Sequence, residues 1–283
     1  MRLLLSKFPF KMFTFILLVV GLLFVGIITY IALHDESQQL TVEYVTIPVS
    51  GLPPAFDGFR IVQMSDFHLY PLTQPELVQR AVKISNELEP DLVALTGDYV
   101  WHEVEAIHDL LPILVDLRAP FGVYSIMGNH EVWTDPDVVR KAFEQQDMPL
   151  LINQGVTLRR GEEHIYLAGL DDGWSGHPDL DAALVDAVSG ETVILLYHEP
   201  DLADQIALDG RVALQLAGHS HGGQVQLPNS GPLMRPYLSW KYPQGLYRVD
   251  DLWLYTNRGI GVTNIPWRYN CPPEITLITL TQQ

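Results

Sequence analysis

The sequence predicts a mixed α/β domain with two sheets between helical layers, preceded by a single transmembrane helix. Three observations support this fold class. An apolar run without a charge occupies residues 13–33, strand-like and helix-like segments alternate from residue 59 to 127, and strand-like segments predominate after residue 164. Alternation of strands and helices is typical of α/β domains, and a second group of strands favours a second sheet.

The N-terminal apolar run is long enough to cross a bilayer. As a helix, residues 13–33 reach about 31 Å. A cleaved signal peptide is the alternative, but its apolar region is about 7–15 residues long and ends in small residues at a cleavage site. The sequence Ala32-Leu33-His34 does not fit such a site. We therefore expect residues 1–36 to form a cytoplasmic stub and an uncleaved membrane anchor.

The charges beside this run predict its orientation. Three basic residues precede it, Asp35 and Glu36 follow it, and the next basic residue is Arg60. Because basic flanks stay in the cytoplasm, we expect a single-pass protein of the cell membrane with an extracytoplasmic domain. All 34 acidic residues and all but three of the 17 basic ones lie after residue 34, which gives that part a charge of −20. Anionic lipids would repel it, so membrane attachment depends on the helix.

Composition excludes several classes of protein. The net charge of −17 argues against a nucleic-acid partner, because phosphate backbones are bound by clustered Lys and Arg. Cys271 is the single cysteine, so neither an intramolecular disulfide nor a cysteine-based zinc site can form. No linker or repeat interrupts residues 37–283, so we expect one catalytic domain there rather than two small ones.

The first half of this domain alternates between two periodicities. Strands are predicted at 59–64, 92–96 and 122–127, and helices at 74–88 and 104–117. Thr73 and Glu76 predict a capping box at the start of the first of these helices. In the second half, strands are predicted at 164–170, 192–197, 213–217, 224–227, 252–256 and 274–280.

Polar side chains follow five of the predicted strands, at the point where each strand ends. They are Asp66 and His68, Asp98, Asn129 and His130, His198, and His219 and His221. Open α/β sheets bind ligands at the carboxyl ends of their strands. A lone Asp is more often a helix cap and a lone His a core residue, but a set of five such motifs indicates a site. The other five histidines do not share the pattern and are interpreted as structural or surface residues.

These side chains are ligands for divalent metal ions. Imidazole and carboxylate without thiolate suit Mn, Fe or Zn and exclude a Cu(I) or iron–sulfur site. Seven or eight ligands are too many for one ion, whereas two ions sharing a carboxylate would use them all. Two such ions about 3.5–4 Å apart polarise a phosphoryl oxygen and lower the pKa of a bridging water towards 7. The sequence therefore predicts hydrolysis of a phosphoester or pyrophosphate by a metal-bridging hydroxide.

The spacing within the motifs, and the glycines beside them, predict how the site residues are oriented. In Asp66-x-His68 and His219-x-His221, two residues of the same parity at a strand end would point to one side and share an ion. Glycines at positions 97, 128, 218, 222 and 223 would let the backbone turn where a Cβ would obstruct the site.

The motif series D-x-H, G-D, G-N-H-[DE], H and G-H-x-H resembles that of the calcineurin-like metallophosphoesterase family, over residues 59–227. The resemblance implies a four-layer αββα sandwich of two mixed sheets with a dinuclear site. The segments GHSHGGQVQLP and RGIG…PWRYNCPPEITL are similar to a membrane-associated or exported bacterial branch that includes UDP-2,3-diacylglucosamine hydrolases.

The resemblance also implies a role for each residue. One ion would be held by Asp66, His68 and His221, the second by Asn129, His198 and His219, and Asp98 would bridge the two. His130 would be catalytic, contacting the phosphate and acting as general acid rather than as a ligand.

Two departures from the family pattern occur. Gly97-Asp98-Tyr99-Val100-Trp101 lacks the second acid and the Arg of G-D-x-x-D-R-G, which argues against a phosphoprotein substrate, and Ser220 replaces the usual Thr.

Residues 232–247 add aromatic and basic side chains directly after the metal motifs. They form either a packed connecting loop or a rim that holds an apolar group while Arg235 and Lys241 contact phosphate oxygens. With the membrane anchor, the second interpretation suits a phosphorylated small-molecule, lipid-linked or cell-envelope substrate. A non-catalytic, membrane-tethered metal-binding module is the alternative to an enzyme.

Overall fold

The computed structural model describes residues 10–228 and 231–283. Most of the predicted cytoplasmic stub, residues 1–9, lies outside the described residues. The chain forms two compact units, Met1–Asp35 and Glu36–Gln283.

The first unit contains helix α1 (Phe10–Leu33). Its part Met12–Leu33 has a mean hydropathy of 2.9, and by length and composition it can cross a membrane. The predicted apolar N-terminal helix is therefore present.

The second unit alternates strands and short helices. The described helices are α2 (Pro75–Glu87), α3 (Ile107–Leu114), α4 (Asn129–Thr134), α5 (Pro136–Gln145), α6 (Leu180–Ala183) and α7 (Ala203–Asp209). The described strands are β1 (Thr41–Val49), β2 (Arg60–Met64), β3 (Leu92–Leu95), β4 (Val123–Ser125), β5 (Gln154–Arg160), β6 (Glu163–Gly169), β7 (Val193–Leu196), β8 (Leu214–Ala217), β9 (Gln226–Leu227), β10 (Gly231–Pro232), β11 (Gly245–Val249), β12 (Leu252–Thr256) and β13 (Glu274–Gln282).

Two mixed sheets organise these strands. The first has the order β1-β13-β2-β3-β4, in which only the β13–β2 pair is antiparallel. The second has the order β11-β12-β8-β7-β6-β5, with antiparallel pairs at its two edges and parallel pairs between them. A short β9–β10 hairpin stands apart from both sheets.

The core is divided into layers by the alternation of side chains along the strands. Val62 of β2 belongs to the cluster formed with Leu77 of α2, on the helical face of the first sheet. Its neighbour Ile61 belongs to the cluster between the sheets, which includes Ile194 of β7. Leu195 belongs to a third cluster, in which α6 and α7 cover the second sheet. The order helix, sheet, sheet, helix confirms the four-layer αββα sandwich.

The start of α2 differs from the prediction. Gln74 is the N-cap residue and makes no side-chain cap, and Pro75 occupies the first helical position, where no intrahelical N–H is required. The hydroxyl of Thr73 instead accepts a hydrogen bond from the Val262 N–H at 3.2 Å. The predicted capping box of Thr73 and Glu76 is wrong, and Thr73 connects the start of α2 to a distant loop near the site.

Candidate metal centre and active site

All the predicted site residues lie beyond the carboxyl ends of β2, β3, β4, β7 and β8. Because these strands are parallel within each sheet, their ends meet at one edge of the sandwich. The two sheets thus bring together residues that are up to 155 positions apart, from Asp66 to His221.

The backbone in this region is not extended. Asp66, His68, Asp98, His219 and His221 all have positive φ angles, between 43° and 67°. The explanation of D-x-H and H-x-H by strand parity is therefore wrong, since these residues follow the strands in left-handed turns. Non-glycine residues are held in this region at a cost of about 1–3 kcal/mol each, and they cluster at functional sites.

The first group of potential ligands contains Asp66, His68, Asp98 and His221. One ligand atom from each lies within 4.8 Å of the others, and all four residues are buried. The ring of His68 is oriented by Nδ1, which donates to the Val100 carbonyl at 3.1 Å. Its Nε2 lies 3.0 Å from Nε2 of His221, so two imidazole nitrogens face each other.

The second group contains Asp98, His198 and His219. His198 Nδ1 donates to the Thr96 carbonyl at 2.6 Å, and His219 Nε2 donates to the Tyr237 carbonyl at 2.7 Å. These bonds leave the other ring nitrogen of each histidine directed away from the protein backbone, as is usual for metal-binding histidines.

Asp98 belongs to both groups. Its Oδ2 lies 3.4 Å from His68 Nε2 and 3.1 Å from His198 Nε2, and its Oδ1 accepts the His130 N–H at 3.0 Å. One carboxylate oxygen therefore lies between a histidine of the first group and a histidine of the second.

Unpartnered buried atoms show that the site fits cations. Among the described residues, Asn129 Oδ1 and His219 Nδ1 are buried without a hydrogen-bond partner. Buried polar atoms are rarely left unpaired in proteins, and both are metal-ligand types. The residues present therefore fit two divalent ions, with Asn129 beside the second group.

Electrostatics at the site also suit cations. Burial lowers the pKa of His68 well below its usual value, and burial together with His198 lowers the pKa of His219 to about 4. Metal ions bind the neutral imidazole form. Burial acts in the same direction on His198, but Asp98 outweighs it and raises the pKa of His198 well above its usual value. A cation between Asp98 and His198 would take the place of that proton.

Two glycines are required by close approach. A Cβ on Gly128 would lie 2.3 Å from Asp98 Oδ1, and a Cβ on Gly218 would lie 1.9 Å from Ser65 Oγ and 2.5 Å from Asp66 Oδ2. Side chains at these positions would displace the carboxylates, as expected from the sequence.

Glu131 organises the loop that carries Asp98, although it was not among the predicted site residues. Its buried carboxylate accepts four backbone N–H groups, from Asp98, Tyr99, Val100 and Gly128, at 2.7–3.2 Å. Burial and the charge of Asp98 raise the pKa of Glu131 to about 8, while its N–H partners act to lower it. The acid at the end of G-N-H-E was a signal for this role.

We expect Glu131→Gln to destabilise the protein by about 1–3 kcal/mol, because an amide NH2 would face two N–H donors. The displaced turn should also lower metal content. Thermal unfolding and elemental analysis of the purified protein measure both effects. Glu144→Gln, at an exposed position on α5, is the matched control and should change stability by less than about 0.5 kcal/mol. Equal stability of the two variants would contradict this role for Glu131.

His130 lies beside the metal groups but belongs to neither. Its Nδ1 donates to the Trp101 carbonyl at 2.8 Å, and its ring stacks on the Trp101 ring with centroids 4.5 Å apart. It is 4.7 Å from the His68 ring, centroid to centroid, and it lines the cavity over the site.

The cavity has a volume of about 490 Å³ and an aromatic wall. Trp101, Trp133 and Trp174 line it, and Trp174 contacts the Trp133 and Tyr237 rings at centroid distances of 4.7 and 5.4 Å. The exposed His102, which was interpreted as a structural or surface residue, also lines the cavity. The signal for Trp174 was its position in the loop after β6.

The rim predicted at residues 232–247 is present only in part. Arg235 lines the cavity. Lys241 is directed elsewhere, since it pairs with Asp204 at 2.8 Å. Tyr242 and Tyr247 pack against each other with ring centroids 5.0 Å apart. Both interpretations of this segment are therefore partly right, because its first residues reach the cavity and its later ones form a packed loop.

Comparisons with known proteins agree with this geometry. Residues 59–223 match the calcineurin-like phosphoesterase family. An uncharacterized metallophosphoesterase of Bacillus subtilis is 37% identical over 254 residues, covering 88% of this chain and 88% of that protein. A transmembrane protein with metallophosphoesterase domain from Danio rerio is 33% identical and covers 93% of this chain, which spans 62% of its length. The phosphodiesterase YaeI of Escherichia coli is 29% identical, covering 78% of this chain and 82% of that protein.

The motif series, the four-layer sandwich and the two groups of ligands joined at Asp98 agree with these matches. The chain therefore belongs to the calcineurin-like phosphoesterase family and is a metal-dependent phosphoester hydrolase that uses two divalent metal ions.

Proposed function

We propose that this protein hydrolyses a phosphodiester or pyrophosphate bond of a lipid-linked substrate of the cell envelope. The observation that supports the proposal most is the position of two ligand groups, sharing Asp98, at the base of a cavity with an aromatic wall. The E. coli relative is named a phosphodiesterase, which supports diester chemistry.

In this proposal each predicted residue keeps its role. Asp66, His68 and His221 would hold one ion, Asn129, His198 and His219 would hold the other, and Asp98 would be shared by the two. When bound, the two ions supply charge stabilisation of the phosphoryl oxygens and an activated water. The protein contributes the orientation of the ligands, through the backbone carbonyls that fix the rings of His68, His198 and His219.

His130 is the proposed proton donor to the leaving oxygen. Its Nδ1 is held by the Trp101 carbonyl, which leaves Nε2 as the nitrogen that can exchange a proton with substrate. A general acid placed beside the leaving group contributes typically about 10²–10⁴-fold to the rate. Because Trp101 stacks on the ring, the imidazole is held in one orientation.

The cavity and the apolar helix α1 support this substrate class. Apolar walls with a few polar groups are typical of sites that bind apolar or ring-bearing groups. A chain with a helix apolar enough to cross a membrane would meet such groups on lipids. UDP-2,3-diacylglucosamine is one candidate, from the resemblance of the glycine-rich and C-terminal segments to hydrolases of that lipid.

Sidedness separates the candidate lipids. Nucleotide sugars are cytoplasmic, whereas the charges on either side of residues 13–33 support an extracytoplasmic domain. We expect a C-terminal alkaline phosphatase fusion to be active in intact bacteria and a C-terminal GFP fusion to be dark. A fluorescent GFP fusion with an inactive phosphatase fusion would overturn the exported orientation and favour the nucleotide-sugar lipid.

Hydrolysis itself is tested with the purified full-length protein. We expect a bound transition metal and turnover of bis-p-nitrophenyl phosphate, increased by Mn²⁺ and removed by a chelator. Absence of both metal and turnover would favour the non-catalytic, membrane-tethered binding module. Profiling of phosphomonoesters, diesters and UDP-lipids on the active protein then identifies the bond that is cleaved.

A further inference from the structure

Glu36, the first residue of the second unit, is hydrogen-bonded to residues 268–271, a segment that contacts the metal-site residue His221. The Glu36 N–H donates to the Arg268 carbonyl at 2.8 Å, and its Oε2 accepts the Cys271 N–H at 3.0 Å. Cys271 in turn donates through Sγ to the His221 carbonyl at 3.3 Å. Two hydrogen-bonded steps therefore connect Glu36 to a residue of the first ligand group.

A ladder of backbone hydrogen bonds continues from this segment to the cavity rim. Gln226 N–H donates to the Tyr269 carbonyl at 2.9 Å, and Leu233 N–H donates to the Val225 carbonyl at 2.9 Å. Adjacent strands are about 4.8 Å apart and consecutive Cα atoms about 3.8 Å, so these three steps keep Glu36 within about 22 Å of Leu233. Glu36 is also two hydrogen bonds from His221, so both residues lie on the side of the domain that carries the site.

The short connection between α1 and Glu36 limits how far this side of the domain can lie from a bilayer. Glu36 follows Leu33, the last residue of α1, by three positions. Three residues of extended chain reach about 11 Å at most. When α1 spans a membrane, Glu36 must lie close to the membrane surface.

Five aromatic and aliphatic residues around the mouth of the cavity have the composition of a membrane interface. They are Leu233, Met234, Tyr237, Trp133 and Trp174, and each is between 38% and 60% exposed. Aromatic and aliphatic side chains of this kind concentrate where protein meets the headgroup region. Residues 35–283 carry a net charge of −20, yet Asp98 is the only carboxylate that lines the cavity among the described residues, and it is buried. No exposed acid of the lining would therefore be moved into lipid.

We propose that the mouth of the cavity faces the bilayer and that the exposed residues Leu233, Met234 and Tyr237 enter its interfacial region. The occupant of this apolar rim is a lipid surface with little negative charge, because the acidic domain would be repelled by anionic lipid. A lipid-linked phosphoester would then enter the site from the membrane without crossing bulk water. This entry route rests on the proposed lipid substrate, whereas the contact of the rim with lipid does not.

A fluorescent label tests the contact. Cys271 is buried, so a new surface cysteine can be labelled selectively in the full-length protein. Leu233→Cys carries an environment-sensitive NBD label at the rim, and Val188→Cys is the matched control. Both replace exposed aliphatic residues, but Val188 precedes β7 whereas the site follows its other end. Each variant is reconstituted in phosphatidylcholine vesicles, with unlabelled parent protein treated in the same way.

We expect brominated phosphatidylcholine to quench the label at Leu233→Cys several-fold more than the label at Val188→Cys, and aqueous iodide to show the reverse order. Equal quenching at both positions by either agent would overturn the proposal. Hydrolysis of bis-p-nitrophenyl phosphate by the parent in the same vesicles reports the proposed function separately. Turnover without bromolipid quenching at Leu233→Cys would refute the membrane contact alone.

Discussion

Asp98→Asn is expected to remove both metal ions together and to abolish hydrolysis. The carboxylate oxygen Oδ2 lies 3.4 Å from His68 and 3.1 Å from His198, one histidine from each ligand group. An amide cannot supply a negatively charged oxygen to two cations at once, so both ions lose a ligand and half of a shared charge. Elemental analysis of the purified variant, with turnover of a soluble diester, measures the effect.

Two comparisons make this test specific. Asp116→Asn, at an exposed position after α3, is the matched control and should keep both metals and full activity. His219→Ala should lower occupancy at the second ion more than at the first, since it belongs to one group only. Retention of two metals per chain by Asp98→Asn would show that Asp98 does not bridge them.

His130→Ala is expected to separate metal binding from chemistry. Because His130 belongs to neither ligand group, both ions should stay bound while turnover falls by roughly 10²–10⁴-fold, the usual contribution of a general acid. A substrate with a good leaving group needs little protonation, so its turnover should fall less than that of an alkyl diester. Steady-state kinetics on two such substrates, with elemental analysis, measures this difference.

The control for that experiment is His108→Ala, which removes an exposed histidine of α3. It should change neither metal content nor turnover. If His130→Ala lost a metal ion, His130 would be a ligand, and the assignment of the second ion would have to change.

The sequence predicted the candidate site more completely than the fold around it. Each short polar motif follows an apolar strand, and parallel strands meet at their carboxyl ends, so Asp66, Asp98 and His198 could be grouped without coordinates. The grouping of the predicted residues into two sets joined at Asp98 agrees with this reasoning. Their left-handed backbone could not be inferred, because Asp and His adopt positive φ in only a small minority of cases and their presence alone does not indicate it.

Three of the four edge strands of the two sheets, and the helices α4–α7, were not predicted from the sequence. The strands β1, β5 and β11 lie at sheet edges, where side chains are half exposed and the apolar alternation is weak. Pairing of β1 with β13, more than 230 residues later, is set by tertiary packing and has no local signal. The prediction of the α2 cap was wrong for a similar reason, because the Thr73 hydroxyl accepts a hydrogen bond from the distant Val262 N–H rather than from an N–H of its own helix.

The position of β13 makes completion of the first sheet depend on a segment late in the sequence. This strand contains nearly the last residues of the chain, yet it lies between β1 and β2, and β2 leads directly to Asp66. Until Glu274–Gln282 has emerged, β1 lacks the strand it pairs with and β2 is an exposed edge. A chain delivered to the far side of a membrane in order, N-terminus first, would therefore acquire its metal site only after the whole domain had been translocated.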